Sequence, residues 1–291
     1  VEIFALENNF QLADGNAIPA LGFGTFGIFD RLHQENIIAD AIACGYRHFD
    51  TASLYGSEIS VGLGIKSSGI AREEFFLTTK VWKDDMESSR TRSSLESSLK
   101  KLQTDYVDLL LIHWPRCNSA DAQWIEHLNE AFETFILLKK EGKVKSIGVS
   151  NFLVHHFEAL KTAERPVVNQ IEYHPGYMQQ EVVDYCKKEN IVVEAWSPLG
   201  RAALLTDKTV LKIAAKHKVS AAQVLLKFCL ENGVLPIAKS TDIKRMQQNA
   251  SLMHFMLDAN DLQELSDIKQ NTGWSQEHPD FAIPSARVGD F

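Results

Sequence analysis

The chain has 291 residues, is 45% hydrophobic and 23% charged, and carries a net charge of −8. A single (β/α)8 barrel needs about 250 residues, and a chain of this order buries enough surface to fold without a disulfide or metal staple. The acidic balance offers no footprint for nucleic acid, and no apolar run approaches the ~20 residues that span a bilayer. The first residues, VEIFALENNF, lack the basic-then-apolar pattern of a signal peptide. The four cysteines, Cys44, Cys117, Cys186 and Cys229, form no C-x-x-C pair. That argues against a zinc ribbon, a thioredoxin-type motif or a secreted disulfide framework, and a cytoplasmic location is expected.

In chain order, FQLADGNAIP (10–19) places Asp14-Gly15 between two short apolar runs and predicts a β-hairpin, a lid for the N-terminal mouth of a barrel. ALGFGTF (20–26) follows as a weak strand. It contains GFGTFG (22–27), a match to G-x-G-x-x-G, with Asp50 at the end of the next strand. A dinucleotide-binding sheet is the obvious alternative. The run before the motif is short, Gly-rich and holds Pro19, whereas a first strand of that kind is normally a strong β-branched run.

Seven stronger strand patterns follow: YRHFDTA (46–52), EFFLTTKVW (74–82), YVDLLLIHW (106–114), VKSIGVSN (144–151), PVVNQIEYH (166–174), IVVEAWSP (191–198) and VLPIAKS (234–240). Several are almost continuously apolar, as parallel strands covered on both faces must be. Between them lie helical patterns such as ENIIADAIACG, SSRTRSSLESSLKKL, EHLNEAFETFILLKKEG and SAAQVLLKFCLENG, and Gly45, Gly142 and Gly233 sit where helix C-caps belong. Eight β-then-α units without a composition break predict one α/β domain over 1–291, a (β/α)8 TIM barrel. The tail from Asn271 is loop-like; Trp274 and Phe281 in it are expected to anchor it or to close the barrel mouth.

In such a barrel, function gathers at the C-terminal ends of the strands. Those ends carry Asp50, with Tyr55 in the following loop, then Lys80, His113, Ser150 and Asn151, Gln170, Trp196 and Ser197, and Lys239. A buried Lys80 requires a counter-ion, which Asp50 on the neighbouring strand supplies. A nearby ammonium is expected to lower the phenol pKa of Tyr55 and so make it a general acid. Neutral His113 would orient a carbonyl oxygen by hydrogen bonding. Carbonyl reduction needs one proton and one hydride. No side chain donates hydride, which implies a nicotinamide cofactor.

The motifs GYRHFDTASLYGSE (45–58), LTTKVW (77–82), LLLIHWP (109–115), GVSNF (148–152), NQIEYHP (169–175), WSPLG (196–200) and IAKS (237–240) together closely resemble the aldo-keto reductase superfamily. The resemblance runs from about Phe10 to Asn249. It implies a catalytic tetrad of Asp50, Tyr55, Lys80 and His113, with Tyr55 as proton donor. It also implies that Ser150, Asn151 and Gln170 hold the nicotinamide carboxamide and that Trp196 stacks on the ring. Gly24, Thr25, Asp50, Ser197, Leu199 and Gly200 would line the cofactor channel. Lys239, Ser240, Thr241 and Arg245 resemble a 2′-phosphate site, and Gln248 and Asn249 the residues that meet adenine, so NADPH is expected, with NADH as a weaker alternative.

Phe26, Trp82, His113, Trp114 and Trp274 resemble substrate-pocket positions, suited to small aldehydes and ketones. The short segment GRAALLTD after the seventh barrel strand resembles bacterial-type members, which include diketogluconate and methylglyoxal reductases, and predicts a loose clamp on the cofactor. A monomer or weak dimer acting on a small carbonyl, without nucleic-acid or membrane partners, is expected. The alternative is a non-catalytic NADPH-binding regulatory subunit on the same fold. A metal-dependent hydrolase is disfavoured, because there is no H-x-H on an early strand and His113, His155, His156 and His174 suggest no ligand set.

Overall fold

In the computed structural model, which describes residues 8–29, 34–269, 273 and 275–281, a closed parallel barrel is preceded by a two-stranded hairpin. Strands β1 (Asn9–Gln11) and β2 (Ala17–Pro19) pair antiparallel, with Gly15 at φ 88° in the turn, as the Asp-Gly pair predicts. The barrel follows as β3 (Gly22–Gly24), α1 (Glu35–Ala43), β4 (His48–Asp50), α2 (Glu58–Ser68), β5 (Phe76–Val81), α3 (Ser88–Leu102), β6 (Val107–Ile112), α4 (Trp124–Lys140), β7 (Val144–Ser150) and α5 (Val154–Ala159). Next come β8 (Val168–Glu172), α6 (Gln180–Lys188), β9 (Val192–Trp196), α7 (Lys208–His217), α8 (Ala221–Glu231), β10 (Leu235–Ala238), α9 (Ile243–Ala250) and α10 (Ala259–Ser266). The strands run in the order β10-β3-β4-β5-β6-β7-β8-β9 and close.

The glycine-rich motif therefore lies inside barrel strand β3 and the loop after it, not at the first turn of an open sheet. Gly24 packs closely on β10: a Cβ there would stand 3.0 Å from Cγ2 of Ile237, so that side chain would have to give by a few tenths of an ångström. Helices α1, α4 and α8 end where expected, with Gly45, Gly142 and Gly233 all at positive φ. Ser220 and Gln223 form a capping box at the start of α8, and Asp207 and Asp258 cap α7 and α10.

Strand side chains alternate in direction, and in this barrel the alternation separates two cores. Leu110 and Ile112 on β6 face outward to helix residues such as Phe132 and Phe135 of α4. Leu109 and Leu111 face inward with Phe76, Val168, Leu235 and Ile237, closed from below by Leu12 and Ile18 of the hairpin region. The hairpin is thus a lid on the N-terminal mouth. The same parity carries Lys80 on β5 and His113, the residue after β6, into the interior above that apolar floor. Among the described residues, no helix is long and apolar enough to cross a membrane. All four cysteines are free.

Candidate active site

A cavity of about 510 Å³ opens at the C-terminal ends of the strands. Asp50 ends β4, and its carbonyl accepts both the backbone N–H and the hydroxyl of buried Thr25, at 3.0 and 2.9 Å. Thr25 and Thr51 each meet the Ser57 hydroxyl at 2.8 Å, so a chain of small hydroxyls fixes the β4 end beneath the Tyr55 loop.

Lys80 is buried and its Nζ donates to Oδ1 and Oδ2 of Asp50 at 2.7 and 2.8 Å, to the Thr51 carbonyl at 3.0 Å and to the Tyr55 hydroxyl at 3.3 Å. Burial alone would neutralise this amine. The Asp50 carboxylate and these hydrogen bonds prevail and hold it above the ordinary lysine range. The Tyr55 hydroxyl also lies 3.5 Å from Nε2 of His113. Burial and the Lys80 charge keep His113 neutral, well below its usual range. Its Nδ1 is buried without a partner among the described residues. The ring proton therefore belongs on Nε2, which faces Tyr55 and the cavity.

The expected lowering of the Tyr55 phenol pKa is not found. Lys80 does pull the Tyr55 phenol down, but burial outweighs that pull and the phenol is raised. Tyr55 in this structure is a neutral hydroxyl that keeps its proton.

Of the residues expected to hold cofactor or substrate, Gly24, Phe26, Trp82, Trp114, Ser150, Asn151, Gln170, Trp196, Ser197, Leu199 and Lys239 line the cavity with Asp50, Tyr55 and His113. Phe26 and Trp82 form edge contacts with Tyr55 and His113, both with ring centres 5.1 Å apart. Thr25, Gly200, Ser240, Thr241, Arg245, Gln248 and Asn249 are not part of its wall. Trp274 lies outside the described residues. Phe281 does not reach the cavity; it is exposed and stacks on His278, with ring centres 3.8 Å apart.

The amide of Asn151 is already engaged. Its Nδ2 donates to the His113 carbonyl at 2.9 Å and to Ser150 Oγ at 3.2 Å, and its Oδ1 accepts the Trp196 indole N–H at 2.9 Å. Gln170 differs. Its Nε2 donates to Asp50 Oδ2 at 2.8 Å and Glu194 Oε2 at 2.9 Å, which leaves its carbonyl oxygen as the amide atom available to the cavity. A free amide acceptor beside the broad face of Trp196 fits a nicotinamide carboxamide and ring, so the residues present suit that group.

At the outer end, Lys239 is exposed and lines the cavity, and Arg245 is exposed on α9. The α9 N-terminus is not open, however. Asp242 caps it by accepting the Arg245 backbone N–H at 2.9 Å, and Ser240 Oγ accepts the Asp242 backbone N–H at 3.1 Å.

The reading from sequence missed Arg201 and Glu277. Both line the cavity, and they meet at 3.5 Å, joining the loop after β9 to the C-terminal segment. That segment is held on either side of Glu277. Ser275 donates its hydroxyl to Glu172 Oε2 at 2.6 Å. Asp280 Oδ1 lies 3.1 Å from Nε2 of both His155 and His156, and 3.6 Å from the Arg116 guanidinium. His155 and His156 thus do converge with a carboxylate, which the sequence did not suggest. His156 Nδ1 accepts the Leu153 N–H at 3.0 Å, so its Nε2 carries the proton toward Asp280 and the group works as a clasp. No shared signal along the chain links residues so far apart in sequence.

The Aldo/keto reductase family model matches residues 20–270. The chain is 42% identical over 269 residues to the glyoxal reductase of Bacillus subtilis, covering 92% of this chain and 95% of that protein. It is 39% identical over 267 residues to the methylglyoxal reductase DkgA of Salmonella typhimurium, covering 89% and 93%. A silkworm (Bombyx mori) aldo-keto reductase crystallised with NADPH superposes with a TM-score of 0.85 at 31% identity, covering 96% of this chain and 95% of that one. The chain belongs to the aldo/keto reductase family.

Proposed function

We propose that this protein reduces small aldehydes and ketones to alcohols with NADPH, dicarbonyl compounds foremost. The observation that carries this reading is the contact of Lys80 Nζ with both Asp50 and the Tyr55 hydroxyl, beside His113 Nε2, in an aromatic-walled cavity. Bound NADPH would supply the hydride that the side chains lack. Gln170 and Trp196 would hold its nicotinamide, and Lys239 and Arg245 would lie toward the 2′-phosphate.

The carbonyl oxygen sits between Tyr55 and His113. The His113 Nε2–H donates to it and orients it; as the carbon gains hydride, the Tyr55 hydroxyl gives its proton to the oxygen. Lys80 stabilises the phenolate left behind, and Asp50 keeps Lys80 charged and in place. A neutral resting phenol serves this role, because a general acid must hold its proton until the oxygen becomes basic. The names of the two bacterial relatives, glyoxal reductase and methylglyoxal reductase, support a dicarbonyl substrate. The test is oxidation of NADPH by phenylglyoxal, methylglyoxal and glyceraldehyde. Turnover with the dicarbonyls ahead is expected; binding of NADPH with no turnover of any carbonyl would favour a regulatory subunit on the same fold.

A further inference from the structure

Beneath the tetrad lies a second acidic side chain that the proposed reaction does not use. Glu194 on β9 is fully buried and stands in register with Gln170 on β8. Gln170 Nε2 bridges Glu194 Oε2 and Asp50 Oδ2, so one amide is shared between two carboxyl groups. The second oxygen of Glu194, Oε1, has no hydrogen-bond partner among the described residues and faces His48 Nε2 at 3.7 Å. His48 in turn bonds Thr78 Oγ1 at 3.1 Å.

The ionisable groups around Glu194 are Asp50 and His48 on β4 and Lys80 on β5. One cation cannot neutralise two carboxylates, and Lys80 spends its donors on Asp50, Thr51 and Tyr55. A carboxylate with a bare buried oxygen is costly, whereas a carboxylic acid places its proton there. Burial first, then the Asp50 charge, pushes the Glu194 carboxyl up to about 8. His48 offers no compensating charge, since burial and Lys80 bring it down to about 3. The close approach of Glu194 to His48 is therefore a neutral contact, not an ion pair.

We propose that Glu194 is a positioning residue: as a neutral carboxylic acid it fixes the Gln170 amide with its carbonyl toward the nicotinamide site and spares Lys80 a second negative charge. This rests on the reductase reading above. Ionised Glu194 would draw on the field of Lys80 and make the Tyr55 phenolate harder to form, so reduction falls as Glu194 loses its proton.

Two measurements on the full chain test this. In infrared difference spectra of wild type minus Glu194→Gln, without cofactor, the wild type is expected to show the C=O stretch of a protonated carboxyl at pH 6. The band should fade as pH passes about 8. In kinetics with phenylglyoxal, Glu194→Leu should lose about tenfold or more in kcat/KM. Glu194→Gln keeps the acceptor for Gln170 and cannot ionise, so it should rescue that loss and carry the alkaline fall in rate upward by a pH unit or more. Absence of the carboxylic-acid band, or an alkaline limb that superimposes on wild type in Glu194→Gln, overturns the proposal. A wild type that reduces no carbonyl sinks the reductase reading and leaves the infrared result standing.

Discussion

The indole N–H of Trp196 donates to Oδ1 of Asn151 at 2.9 Å, and Asn151 adopts φ 62° to receive it. The ring expected to stack on the nicotinamide is thereby locked to the loop that leaves β7. A phenylalanine at this position would keep an aromatic face and release the Asn151 carbonyl oxygen. For Trp196→Phe we expect the NADPH dissociation constant to rise about five- to tenfold, the scale of one lost hydrogen bond plus reduced stacking. Calorimetric titration checks it; an unchanged constant would mean the lock does not matter to binding.

Tyr55→Phe removes the hydroxyl that Lys80 and His113 share, without removing ring volume beside Phe26. Reduction should fall by about 10²- to 10⁴-fold while NADPH binds within about threefold of wild type. Substantial residual turnover would move the proton donor elsewhere, and a parallel loss of cofactor binding would make the effect structural.

Much of this site was legible in the sequence because a barrel converts strand order into position. Asp50, Lys80, Gln170 and Trp196 lie in barrel strands and His113 directly follows one, so recognising eight strands brings them to one end of the barrel. What the sequence could not give was direction and competition. VVEAW is buried on both faces, and nothing in that string tells whether Glu194 points to the helices or into the barrel. The expected fall in the Tyr55 pKa failed for a similar reason. The sign of a balance between burial and a neighbouring charge depends on depth, which spacing does not encode. Arg201 and Glu277 were invisible because each is an ordinary surface residue until the C-terminal segment folds across the mouth.

Asp242 bears on cofactor choice. The phosphate site expected around Lys239 and Arg245 has a carboxylate at its helix N-terminus. Lys239→Ala or Arg245→Ala should weaken NADPH about tenfold and leave NADH within about threefold. Asp242→Asn keeps a capping side chain and deletes the charge, so it should tighten NADPH about threefold without affecting NADH. Equal changes for both cofactors in all three variants would place the 2′-phosphate away from α9.

The ion pair between Arg201 and Glu277 links the short loop after β9 to the C-terminal segment, and Arg201 is about half exposed at 49%. Such a pair contributes at most about 1 kcal/mol, so it latches the cavity lightly. Cofactor release in stopped-flow fluorescence should therefore be faster than turnover, and Glu277→Gln should speed it by less than about fivefold. Release slower than turnover would contradict a light latch.

Stability should also report on Glu194. Its folded-state pKa, about 8, lies above the ordinary glutamate value of 4.5, so between those values the folded chain holds a proton that the unfolded chain has lost. Raising the pH through that window favours unfolding, by up to about 1.4 kcal/mol per unit. His48 and His113 act in the opposite sense: buried and neutral, they add stability as pH rises toward 6.5. Above 6.5 their contribution is complete, and the Glu194 slope stands alone among these three. Urea unfolding of wild type and Glu194→Gln at pH 6.5, 7.2 and 8 should show the variant gaining on wild type with each step, while the difference stays small below pH 4.5. A difference independent of pH would mean that Glu194 is already ionised in the folded chain.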